Sequence, residues 1–269
     1  MIIQHNILKG AAMTSAKTLT RETVIQAIVK ALRPVDYVHA LYEGGAAAFR
    51  RIDEWSDIDL YIIADDNRVD ETFQACEDAF TSLSGIQQKY EVPQTSWPGV
   101  HQAFYRLRNT SEYLIIDLAI LTPNSQEKFL EPEIHGNAVF HLNRNNSVKL
   151  PHIDTAAFAG KLHARARRLK ERFRMFNMFV QKEINRGNTL EAIDSYHVIT
   201  LASLIEALRI RHNPLHYDFK LRYVHYELPE EVVKRLEFLS FVKDQKDLQE
   251  KYNEASKWFS ETISEIKCD

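Results

Sequence analysis

The stretch that decides the fold runs Glu43-Gly44-Gly45-Ala46-Ala47-Ala48-Phe49-Arg50-Arg51-Ile52-Asp53-Glu54-Trp55-Ser56-Asp57-Ile58-Asp59-Leu60-Tyr61-Ile62-Ile63. An apolar segment at 36–43 reads as a strand, the glycine pair breaks it, and a loop or short helix leads into a second strand at 58–64. Asp57 and Asp59 stand two positions apart where that second strand begins, so both carboxylates point to one side while Ile58 and Leu60 point to the other. Two like charges held together invite a cation, and Mg²⁺ takes a few carboxylates while leaving positions for water and substrate phosphates.

A third carboxylate comes from Asp117, which interrupts the apolar run 113–121 that otherwise reads as a buried strand, where an unpaired charge would be costly. If that strand lies beside 58–64, Asp117 shares the ion with Asp57 and Asp59. Gly44 and Gly45, at the turn upstream, let backbone N–H groups come close to phosphate oxygens at the start of a helix.

These residues resemble the nucleotidyltransferase superfamily that includes DNA polymerase beta and the aminoglycoside nucleotidyltransferases. The family pattern is Gly-Ser, about ten residues, then Asp-x-Asp, with an aspartate on a later strand; Ser56-Asp57-Ile58-Asp59-Leu60 matches its second half. The serine expected after the glycine is Ala46, or Gly45 if the turn is read one residue earlier, which in either register leaves backbone N–H groups as the donors of the turn. The resemblance implies an α+β fold, a nucleotidyltransferase-type mixed sheet with flanking helices followed by an all-helical bundle. It further implies that the aspartates hold Mg²⁺, that Gly44, Gly45 and Ser56 shape the phosphate pocket, and that AMP passes from ATP to a hydroxyl of a small molecule such as an aminoglycoside-like antibiotic, releasing pyrophosphate.

Outward from this core, helical spacing predicts helices at 20–32 and 68–83, a strand reaching Val92, and an antiparallel pair at 103–108 and 113–121. Segment 123–137 reads as an excursion. Beyond about Asp154 the pattern is helical, with segments at 155–185, 189–212, 220–226, 229–242 and 244–266. The expected division is therefore a catalytic unit over 1–150 and a helical, acceptor-binding unit over 151–269.

Within the helical half, Lys161, Arg165, Arg168 and Arg172 recur on one helix face that could reach a triphosphate across a cleft between the units, which marks Arg165 and Arg168 as nucleotide-binding candidates. Glu206 is the only charged residue between Val198 and Leu208 and a candidate base for the acceptor hydroxyl, with pairing to Arg209 or Arg222 as its structural alternative. The run Arg211-His-Asn-Pro-Leu-His216 has the Arg, four residues, His spacing of HEPN-type ribonucleases. That spacing supports a competing reading: a non-catalytic nucleotide-binding or toxin-antitoxin module. Trp55, Trp97 and Tyr105 are candidates for stacking on a base.

The chain has 269 residues and a net charge of -3, which gives no general pull toward nucleic acid or anionic lipid. The first 150 residues hold 14 Lys and Arg against 19 Asp and Glu, the remainder 20 against 18, so an acidic half precedes a mildly basic one. No apolar run reaches the roughly 20 residues of a membrane helix, and no export signal is visible at the N-terminus. Two distant cysteines fit a reducing, cytoplasmic setting and argue against structural zinc. The expected partners are ATP and a hydroxyl acceptor, without membrane or nucleic acid, and with a homodimer left open.

Overall fold

The computed structural model describes residues 18–93 and 99–266. The chain divides into two compact units, Met1–His152 and Ile153–Asp269, each with apolar cores of its own.

In the first unit six strands form one sheet: β1 (Val38–Glu43), β2 (Ile58–Ala64), β3 (Ile86–Glu91), β4 (Val100–Leu107), β5 (Ile116–Leu121) and β6 (Val139–Asn143), in the order β3-β4-β5-β2-β1-β6. β2 and β5 run parallel, and every other neighbouring pair is antiparallel. One face is sealed by α1 (Arg21–Leu32) and α3 (Val69–Leu83). Ile25, Ile28, Phe80 and Cys76 pack there with Ile58, Leu60, Ile116 and Leu118 in a continuous core. Thr20 caps α1 by accepting the Thr23 N–H, which satisfies one of the donors a helix start leaves open. The opposite face carries a smaller cluster around Tyr42, Ile63, Ala119 and Leu121. α2 (Gly45–Ala48) and α4 (Pro132–His135) are single turns.

β6 lies just beyond the segment read as an excursion, and sequence reasoning does not find it. It is a five-residue edge strand whose residues are half-buried or exposed, so it lacks the clean alternation that marks a two-sided strand.

The second unit is helical: α5 (Thr155–Phe176), α6 (Met178–Arg186), α7 (Thr189–Ser195), α8 (Ala202–His212), α9 (Val224–Glu227), α10 (Glu230–Ser240) and α11 (Gln245–Glu265). Two long predicted helices are subdivided. The first breaks at Asn177, whose buried amide donates to the hydroxyls of Tyr252 and Ser256 and accepts from the Thr200 hydroxyl at 2.6 Å. The second passes through a π-helical turn at Tyr196–Leu201 between α7 and α8, a local departure that helical spacing in the sequence does not mark. Phe173 and Phe259 stack at 3.7 Å between α5 and α11. Among the described residues no helix is long and apolar enough to cross a membrane.

Candidate functional site

The parallel pairing of β2 and β5 sets Asp59 directly opposite Asp117, and both lie on the face away from the α1 and α3 core, alternating with the buried Ile58, Leu60, Ile116 and Leu118. Asp57 precedes β2 by one residue, on the same side as Asp59. The three carboxylates thus gather at the start of two adjacent strands. Burial pushes the Asp117 carboxyl up to about 6, against the pull of a hydrogen bond from Gln102 and with the charges of Asp59 and Asp57 adding to the rise. Asp57 is also raised, by burial first, although Arg21 and a backbone hydrogen bond at Ile115 oppose the shift.

Gln102 reaches Asp117 from β4, its amide donating at 2.7 Å. In the β4–β5 register the residue opposite Asp117 is Phe104, so the contact is diagonal, of the kind long side chains make across a ladder.

The glycine turn rests against the same carboxylates. The Gly44 N–H donates to the Asp59 carbonyl at 3.0 Å. Gly45 adopts φ +50, and a Cβ there would lie 1.8 Å from Asp59 Oδ2. Only glycine fits, because the backbone is in the left-handed region and the carboxylate occupies the side-chain space. Ala46 follows inside α2. Ser56 holds its own loop together, with its hydroxyl donating to Asp53 at 2.7 Å and accepting the Asp53 N–H at 2.9 Å.

A second set of residues holds this arrangement from behind, and sequence reasoning missed it. The Arg21 guanidinium donates to the backbone carbonyl of Asp57 and to the carboxylate of Glu43. Glu43, whose side chain is 4% exposed, is also held by His141 at 3.1 Å. Burial acts to raise the Glu43 carboxyl, but the hydrogen bonds from His141 and Arg21 outweigh it and keep the group below the usual carboxylate range. The one available sequence signal was Glu43 itself, a charge ending an otherwise buried strand immediately before Gly44.

The remaining candidates fall in several places. Glu206 on α8 is half-buried and forms a two-pronged ion pair with Arg165 on α5, Nη2 to Oε2 at 2.8 Å. Its partner is therefore Arg165, not Arg209 or Arg222, since side chains on α5 and α8 meet in the bundle while Arg209 turns inward. Arg168 lies exposed on α5. Arg211 pairs with Glu265 at 2.7 Å, whereas His216 is buried and pairs with Glu227 at 3.0 Å; the HEPN-like spacing is thus split between different partners. Tyr105 is fully buried, its hydroxyl donating to Glu77 at 2.8 Å, so it offers no face to a base. Trp55 is exposed and meets Tyr113 edge-on; Trp97 lies outside the described residues.

Among the described residues no three His, Cys, Asp or Glu side chains form a ready-made metal cage. The donor set nevertheless suits Mg²⁺, which usually binds through one or two carboxylates and completes its shell with water and phosphate oxygens. Carboxylates that raise one another's proton affinity are also those a divalent ion would stabilise.

No family model and no curated protein matches the chain. Among solved structures it is similar to an aminoglycoside 6-adenyltransferase from Bacillus subtilis, at 13% identity over 93% of this chain and 94% of the other, with a TM-score of 0.33. It is similar to a nucleotidyltransferase-like protein from Exiguobacterium sibiricum at 13% identity over 88% and 74%, TM-score 0.34. A third similar structure is a STING-associated CdnE c-di-GMP synthase from Capnocytophaga granulosa, at 16% identity over 91% and 81%, TM-score 0.30. Likeness at this level assigns no role to any residue.

Proposed function

We propose that the chain is a Mg²⁺-dependent nucleotidyltransferase that moves a nucleoside monophosphate, AMP from ATP, onto a hydroxyl of a small molecule and releases pyrophosphate. The observation that carries the reading is the pairing of Asp59 with Asp117 on parallel neighbouring strands, with Asp57 two residues upstream and the Gly45 backbone against the Asp59 carboxylate. Carboxylates and phosphate turn are then one structure, as transfer from a triphosphate requires.

In this reading Asp57 and Asp59 would hold the ion beside the phosphates, and Asp117 would hold it on the acceptor side. Bound Mg²⁺ would supply charge neutralisation at the transferring phosphoryl group. With the Gly44 N–H engaged by the Asp59 carbonyl, the backbone of Gly45 would approach the phosphate oxygens, and Ser56 supports the loop that delivers Asp57. Gln102 fixes the direction of the Asp117 carboxylate. In the helical unit, Glu206 would accept the acceptor's proton, oriented by its ion pair with Arg165, and Arg168 would lend positive charge. The protein is expected to act in the cytoplasm, and a homodimer is compatible with the reading.

Isothermal titration of ATP with and without Mg²⁺, followed by transfer of labelled AMP to a panel of hydroxyl acceptors, tests this. Metal-dependent ATP binding is the expected result; its absence at millimolar nucleotide would overturn the enzyme reading in favour of a partner-binding module.

A further inference from the structure

The helical unit carries a solvent-open cavity of about 560 Å³, within the size range of small-molecule sites. Beside residues of α5 and α8, two irregular pieces of backbone contribute to its lining. One is the π-helical turn, which contributes His197, Val198 and Leu201; such turns recur at functional sites because the extra residue opens the helix surface. The other is the loop carrying Tyr217, Asp218, Lys220 and Leu221. Lys220 and Tyr223 in this loop take φ of +54 and +63, a region costly for long and aromatic side chains.

A buried ionic cluster holds that strained loop in place. Arg209 is 0% exposed and pairs with Glu227 at 2.9 Å. It also donates from Nε to the Lys220 carbonyl at 2.6 Å and from Nη2 to the Arg222 carbonyl. His216 adds a contact to Glu227 at 3.0 Å and stacks on Phe219. A buried ion pair is a poor way to gain stability, because desolvation offsets its attraction. Here its remaining donors shape one wall of one cavity, and strain of this kind points toward function.

The lining chemistry selects the occupant. Val198, Leu201, Ile205 and Leu221 supply apolar surface. Arg165 is neutralised by Glu206, which leaves Arg172 and Lys220 facing a single carboxylate, Asp218. We infer that this cavity binds a small amphipathic anion, an apolar body carrying one carboxylate- or sulfonate-sized group. A polycationic sugar would require the opposite charge balance. Calling the occupant the nucleotidyl acceptor rests on the function proposed above; the binding itself does not.

The test is a fluorescence titration of the full chain with 8-anilinonaphthalene-1-sulfonate in the absence of nucleotide. Saturable one-to-one binding is expected. Arg172→Glu and Lys220→Glu should each weaken it by about fivefold, the effect of reversing one partly exposed charge. Ala202→Trp, which fills the cavity from an exposed helical position, should abolish it with the circular dichroism unchanged, and kanamycin should not displace the probe. Absence of saturable binding, or binding indifferent to both Arg172→Glu and Ala202→Trp, overturns the site. Should Ala202→Trp not fold, Arg172→Glu decides alone. Displacement by kanamycin that is lost in Asp218→Asn overturns the anionic class in favour of a polycation. Mg-ATP binding measured in parallel separates the readings: its failure beside intact probe binding removes the acceptor role and leaves the cavity.

Discussion

Arg21 sits 36 positions from Asp57 in the chain, yet its guanidinium ties the Asp57 backbone to the buried Glu43 carboxylate. Arg21→Ala would leave Glu43 without one of its partners and is expected to cost about 1–3 kcal/mol in a denaturant titration, the penalty for a buried polar group deprived of its hydrogen bond. Because the Glu43 carboxyl is held below its ordinary 4.5, its stabilising contribution is complete above that pH and fades as pH falls through the lower folded value. The Tm difference between wild type and Glu43→Gln should therefore be largest near neutrality and shrink in acid. A difference that grows in acid would reverse the assignment. For the carboxylates of the proposed metal site, Asp57→Asn and Asp59→Asn should abolish transfer and leave Tm within a few degrees, since a ligand is lost without opening a core cavity. Asp117→Asn should remove turnover while sparing much of the ATP affinity, given the acceptor-side role proposed for it. Activity within a few fold of wild type in all of these variants would refute the site.

Among the elements, the second unit departs most from its sequence pattern. The run from 155 to 185 has one continuous helical period, but the Asn177 amide is satisfied by α11 and by Thr200 of the π-helical turn, and the helix divides there. Asn177→Ala should destabilise the unit by about 1–3 kcal/mol, because the Thr200 hydroxyl is left buried without its acceptor; equilibrium unfolding in urea would read this, and a neutral result would mean the joint is held by packing alone. In the first unit β2 and β5 were legible because each is an apolar run broken by a single aspartate. β6 was not, as an edge strand pairs on one side only and carries little of the alternation that reveals a strand.

For the molecule as a whole, the two units have separate apolar cores, joined through an exposed irregular segment that includes Lys149 and Leu150. Brief trypsin treatment should cut after Lys149 early and yield two resistant fragments of comparable mass, visible by mass spectrometry; early fragmentation inside α5 or α8 would contradict two self-contained units. From the order of residues alone came the mixed α/β first half, the helical second half, and the candidate trio Asp57, Asp59 and Asp117 with its glycine turn, because periodicity and a charge inside an apolar strand are local signals. Tertiary structure alone decided that Asp59 faces Asp117, that Arg21 and His141 converge on Glu43, that Glu206 takes Arg165, and that Arg211 and His216 part company. Each of these depends on which distant segments become neighbours. Strand register and helix packing set that, and no local pattern records it.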